Sequence, residues 1–181
     1  MTVDAEMYKA GMRRLAASVA VLTVGLPDGR RHGMTATAVC SVSAAPPILL
    51  CCINRNSAAR AAFSEANNFA VNVLAASDRA LADRFARPMD AEERFAEGLW
   101  ARDRTGAPVL ETAIATFDCE RSHSIEVGGH TVFFGEVQAV RVRSEHIMPL
   151  LYAHGGYGEF AAARPVPLPD LMWVPDWRTE V

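Results

Sequence analysis

Two stretches of alternating apolar and polar residues, Ile114 to Glu126 and Thr131 to Val142, flank the short link Val127-Gly128-Gly129-His130. Alternation with a period of two means that each stretch buries one face, and paired glycines supply the backbone freedom of a tight turn. The two therefore form a long antiparallel hairpin, and an antiparallel architecture must be built around it. Upstream, Val19 to Val24 reads as a strand closed by the turn Pro27-Asp28-Gly29, and a second strand runs from Gly33 to Val42. The Pro46-Pro47 pair blocks a helix and starts a third strand, Ile48 to Ile53, whose near-continuous apolar character predicts burial on both faces. Phe69 to Leu74 follows as a fourth, the pattern becomes β again after Pro108-Val109-Leu110, and Met148 to Tyr152 closes the sheet.

Helices are short. Tyr8 to Ala17 is amphipathic, with Met12 and Leu15 among its apolar positions and Arg13 and Arg14 solvated. Asn56 or Ser57 caps a helix from Ala58 to Ala66, and Ser77 or Asp78 caps one ending at Phe85. Asp90 to Phe95 begins a further short turn or helix. Six or seven mostly antiparallel strands with short peripheral helices predict a mainly β fold, a barrel rather than a doubly wound parallel sheet.

At 181 residues the chain forms one principal domain, over residues 1–163. Residues 164–181 carry four of the ten prolines together with Trp173 and Trp177, which predicts an extended arm packed on the barrel or on a partner subunit. A net charge of −3 argues against nucleic acid as a partner. No apolar run approaches the roughly 20 residues of a membrane span. The acidic start lacks a signal-peptide pattern, and Cys40, Cys51, Cys52 and Cys119 have no zinc-ligand spacing, so a reduced, cytoplasmic protein without a metal is expected.

The run Gly33-Met34-Thr35-Ala36-Thr37-Ala38-Val39-Cys40-Ser41-Val42-Ser43 places small side chains and hydroxyls where a strand usually carries bulk. Read alone, it fits either an edge strand with a polar outer face or a surface on which a flat ligand reaches the backbone. The tetrad Asn54-Arg55-Asn56-Ser57, ending one strand and opening a helix, favours the second reading. Asn54 and Ser57 can donate to a phosphate, and Arg55 or Arg60 can neutralise it. Neither a GxGxxG turn nor a P-loop is present. His130, following two glycines, reads on its own as a turn histidine.

These motifs resemble the short-chain flavin reductase family. The likeness rests on Gly33 to Val42, Pro46-Pro47, Cys52-Ile53-Asn54, Ser57 and Phe69 to Leu74, and continues through Glu93-Arg94-Phe95, Trp100, Pro108-Val109-Leu110 and Gly129-His130-Thr131. It extends from about Met12 to Tyr157 and is strongest to reductase components of two-component aromatic monooxygenases such as 4-hydroxyphenylacetate 3-monooxygenase. The resemblance implies a Greek-key, FMN-binding split β-barrel that dimerises and holds FMN or FAD between subunits. It implies an NAD(P)H-dependent enzyme, NADH favoured, that passes reduced flavin to a separate monooxygenase.

By the same resemblance, Thr35, Ala36 and Thr37 touch the flavin ring, with Ser41 and Val42 near it. Asn54, Arg55 and Ser57 hold the ribityl phosphate, and Arg84 and Phe85 border the cofactor. His130 sits beside the nicotinamide, and Tyr152 and Tyr157 stack on NADH or flavin. The chain departs from the family pattern at Gly129, where relatives often carry Asp or Thr, and from Ala153 to Gly156, where relatives usually carry arginine. Those departures leave open an alternative, a flavin-binding electron carrier without turnover. Hydride transfer needs aligned rings more than an acid or base, so the lack of a catalytic triad agrees with the enzyme reading.

Overall fold

The computed structural model describes residues 3–144 and 146–160. Its main element is a seven-stranded antiparallel sheet built from β2 (Ala20–Gly25), β3 (Arg31–Ala36), β4 (Val39–Ala44), β5 (Pro47–Asn54), β6 (Asn68–Val73), β9 (Ala115–Val127) and β10 (His130–Val142). The strand order is β3-β2-β6-β9-β10-β5-β4. The two edge strands, β3 and β4, are consecutive in the chain, with Thr37 and Ala38 alone between them. Three Cα–Cα steps reach at most about 11 Å. The sheet must therefore curl until its edges approach each other, yet β3 and β4 do not pair. The result is a barrel with a slit.

The interior is lined by alternate residues of the curled strands. They include Ala20, Leu22 and Val24 of β2, Leu49, Cys51 and Ile53 of β5, Phe69 and Val71 of β6, Cys119 of β9 and Phe133 of β10. Helix α2 (Ala59–Glu65) adds Ala59, Ala62 and Phe63 to this core, and the Phe63 and Phe133 rings meet at 5.9 Å. Outside the barrel, Val19, Val21 and Leu74 pack against Leu81, Ala82 and Phe85 of α3 (Arg79–Ala86), together with Phe95, Leu110 and Leu150. Two register shifts, at Phe134/Gly135 and Val137/Ala139, bend the β9–β10 hairpin around the barrel. At the first, Gly135 lies against the Phe69 ring and the Cys119 Cβ, leaving no room for a side chain.

The hairpin, the β6 strand and the peripheral helices agree with the sequence reading, and several boundaries do not. Gly33 to Val42 is two strands, because Thr37-Ala38 turns the chain from one edge of the slit to the other. β5 buries Leu49, Cys51 and Ile53 but leaves Ile48, Leu50 and Cys52 half-buried, so burial on both faces is incomplete. The first helix is α1 (Ala5–Met12), capped by Asp4 and ending before Arg13, with no buried residue. α2 has Ala58 at its N-cap position, with no side-chain cap to the helix, although Ser57 Oγ accepts from the Ala59 amide at 3.3 Å. Asp78 ends a 3-10 turn (Ala76–Asp78) and accepts from the Ala75 amide instead of capping α3. The Asp90 segment is as expected, a short helix α4 (Ala91–Arg94) whose first amides reach the Asp90 carboxylate.

Met148 to Tyr152 does not close the main sheet. β11 (Leu150–Ala153) pairs with β1 (Ala17–Ser18) and with β12 (Gly156–Glu159) in a separate three-stranded sheet. The β11–β12 turn is His154-Gly155, both with positive φ, 53° and 80°. A turn with positive φ at both central positions matches the twist of a two-residue hairpin. With β7 (Trp100–Arg102) and β8 (Pro108–Leu110), the described residues contain twelve strands rather than six or seven. The extra ones are short and lie outside the barrel. The expected arm, residues 164–181, falls outside the described residues.

Candidate functional site

The slit and the rim beside it gather most of the sequence-derived residues. Among the described residues, β3 pairs only with β2 and β4 only with β5, so both present an unpaired backbone edge to the slit. Thr35, Ala36, Thr37 and Ala38 keep that edge free of bulk. Among the described residues, the Thr37 and Ser41 hydroxyls have no protein partner. Thr35 differs: its hydroxyl donates to the Ala82 carbonyl at 2.6 Å and ties β3 to α3.

The rim follows from pairing. β5 ends at Asn54, which lies opposite His130 at the start of β10. The Arg55 amide donates to the Gly129 carbonyl at 2.9 Å, extending the ladder into the hairpin turn. Asn54 Oδ1 accepts from the Asn56 amide at 2.9 Å, which folds the following loop back on itself. Ser57 Oγ lies 3.6 Å from Met34 Sδ, so the loop touches β3. Thr37, Ala38, Asn54, Arg55, Ser57 and His130 thus lie along one rim, the Cys52 amide donating to the Ala38 carbonyl between them. Ser41 and Val42 lie farther along. Ser41 is opposite Leu49, five residues from Asn54, or roughly 17 Å at strand rise.

Charge is concentrated at the same rim. Arg60, on the first turn of α2, points Nη2 at a Glu126 carboxylate oxygen 2.5 Å away, and Arg55 Nη1 stands 3.7 Å from the other oxygen. Arg60 Nε is buried and has no hydrogen-bond partner among the described residues. The rim therefore holds two guanidinium groups, one of them incompletely satisfied, beside the Asn54 and Ser57 side chains. Sequence reasoning placed Glu126 on an alternating strand and gave it no role. Its signal was positional: counting back from the Gly128-Gly129 turn places it opposite Thr131, at the rim end of β9.

Other expected residues lie elsewhere. Phe85 is buried in the outer core, where it meets the Phe95 ring edge-on at 5.1 Å and touches Gly33. Arg84 bonds to the Glu93 and Arg94 carbonyls and to Glu97. Both are engaged in holding α3 to α4. Tyr152 and Tyr157 meet edge-on at 5.5 Å in the small sheet, with Arg79 above the Tyr157 ring. Burial pushes the Tyr157 phenol above its usual range, Asp83 and Tyr152 adding to the effect and Arg79 opposing it. Among the described residues, no hydrogen bond, ion pair or ring contact joins either tyrosine to His130.

An elongated slit with free backbone edges, ending at a basic rim, fits a flat ring carrying an anionic tail. The free Thr37 and Ser41 hydroxyls and the orphaned Arg60 Nε are the observations that favour that fit. Comparison with known proteins leads to the same chemistry. The model of the flavin reductase like domain matches residues 12–161. The FMN reductase (NADH) RutF of Variovorax paradoxus is 43% identical over 155 residues, 86% of this chain and 85% of that protein. The solved NADH:FAD oxidoreductase SgcE6 of Streptomyces globisporus, in complex with NAD and FAD fragments, superposes with a TM-score of 0.82 at 28% identity, covering 91% of this chain and 99% of that one. BorF, the flavin reductase component of a bacterial two-component tryptophan halogenase, gives 0.78 at 31% identity, over 88% and 100%.

Proposed function

The chain belongs to the flavin reductase like domain family, and from that premise we propose that it is an NADH-dependent flavin reductase supplying reduced FMN or FAD to a separate oxygenase component. The observation that carries this reading is the slit between β3 and β4, edged by Thr37 and Ser41 and ending at Asn54, Arg55 and Ser57. Named relatives with the same activity at 43% identity support it.

When bound, flavin would supply the ring that takes hydride from the nicotinamide. The residues of this chain hold and orient. Thr35, Ala36 and Thr37 leave space beside the β3 edge, and the unpaired amides there and the Thr37 hydroxyl offer donors to the polar edge of the ring. Ser41 and Val42 flank it along β4. Asn54, Arg55 and Ser57, with Arg60, hold the phosphate through charge-assisted hydrogen bonds. His130, beside Asn54, orients the nicotinamide. Arg84 and Phe85 contribute by fixing α3, whose Ala82 carbonyl anchors Thr35.

The reading includes a homodimer. The outer face of β9, β10 and β5 has apolar rows Ile125–Val132–Cys52 and Phe134–Leu50, and the half-exposed Val42 stands at the β4 bulge beside them. That face is the one a second copy would cover, with the flavin held between the two subunits. No helix among the described residues is long and apolar enough to cross a membrane, and the reading places the protein in the cytoplasm, where NADH is supplied.

The test is loss of NADH absorbance with FMN, FAD or riboflavin as acceptor, repeated with NADPH. Flavin-dependent oxidation of NADH is the expected result. Tight flavin binding without NADH oxidation would favour the electron carrier instead.

A further inference from the structure

Glu126 sits where an anionic ligand would be expected. Its carboxylate faces Arg60 at 2.5 Å and Arg55 at 3.7 Å. Both arginines border the Asn54–Ser57 loop, Arg55 by sequence and by its bond to the hairpin turn, Arg60 from the first turn of α2. All three side chains are between one-third and one-half exposed. Such an ion pair is held only weakly against water, and an arriving ligand can open it. A carboxylate and a phosphate oxygen make the same kind of bond to a guanidinium, and the phosphate brings more charge and more acceptor oxygens. The buried, unpartnered Arg60 Nε shows that Glu126 does not saturate the cluster.

We propose that Glu126 is an internal competitor for the flavin phosphate, a specificity residue that lowers the affinity for phosphorylated flavin without touching the ring. The proposal rests on the flavin reductase reading. Its functional sense follows from that activity: a reductase that feeds a separate enzyme must release its product, so its phosphate cradle should hold moderately. Glu126 cancels part of the charge of Arg55 and Arg60 in the free protein and repels the bound phosphate. FMN then remains a substrate that leaves, rather than a resident group.

The decisive measurement compares FMN with riboflavin, which has the same ring and no phosphate, by quenching of flavin fluorescence. Glu126→Gln should tighten FMN about tenfold and leave riboflavin unchanged, so the ratio of the two affinities moves. Arg60→Gln should weaken FMN toward the affinity of riboflavin. In the Arg60→Gln background, the gain from Glu126→Gln should shrink, since its target is gone. Thermal melts confirm that each variant folds, and Glu126→Ala, with the same expected tightening of FMN alone, stands as the test should Glu126→Gln fail to. Unchanged or weakened FMN binding in Glu126→Gln, with both flavins still binding, overturns the competitor role; the weakened case would make Glu126 an organiser of the arginines. If the unmodified protein binds neither FMN nor riboflavin, the flavin reading of the slit falls first.

Discussion

Gly135 marks a place where one added carbon would strain the packing of the barrel core. A Cβ there would collide with the Phe69 ring and approach the Cys119 Cβ to 2.7 Å, inside a core with no slack. Gly135→Ala should cost about 1–3 kcal/mol through overpacking, read as a lowered urea midpoint with unchanged slope. His32 illustrates a different residue-scale effect. Burial, then the nearby Arg94 charge, lowers its pKa, while the Gly33 backbone and Asp90 act the other way. Between that depressed value and the ordinary 6.5, the unfolded chain binds more protons than the folded one. Stability from this group is therefore present above pH 6.5 and is lost as the pH falls through the window. His32→Gln should flatten the decline in urea midpoint between about pH 7.5 and about pH 5.5.

Among the elements, β6 depends on a side chain as much as on its ladders. The buried Asn72 donates to the Val21 carbonyl at 3.0 Å and the Thr23 hydroxyl at 3.2 Å, and accepts from the Leu110 amide at 2.7 Å. Thr23 in turn donates to the Pro108 carbonyl, so one network stitches β8 onto the outside of β2 and β6. Asn72→Ala would strand the buried Leu110 amide and open a small void. A loss of about 3 kcal/mol is expected by chemical denaturation. Much of the element level was legible in the sequence. Alternation and the Gly-Gly turn located the β9–β10 hairpin, and the Phe69 to Leu74 strand was found to within a residue. The break at Thr37-Ala38 was not legible, because both halves are equally β-like and only closure of the sheet makes the chain change edges. The β11–β12 hairpin was missed for a related reason: His154 adopts positive φ, a conformation uncommon outside glycine.

For the whole molecule, the expected outcome concerns assembly. Ile125, in the apolar row on the outer face of β9, β10 and β5, lies nearly half-exposed, as does Val42 at the neighbouring β4 bulge. The chain should sediment as a dimer, and Ile125→Arg should shift it toward monomer. Flavin affinity should fall with the shift, because part of the site would then be lost; a monomeric protein with full flavin affinity would remove the second copy from the site. By itself the sequence determined the antiparallel β class, the small-residue strand, the polar Asn54–Ser57 loop and, through its motifs, the family. Those properties are local: each is written in side-chain periodicity or in the residues of one segment. Which residues share a rim was decided only by the tertiary structure. Curling the sheet brought Met34 to Ser57 and Glu126 to Arg60, while packing of α3 took Arg84 and Phe85 into the framework. Such neighbours are many residues apart in the chain, and barrel closure, not local pattern, fixes the distances at which their charges interact.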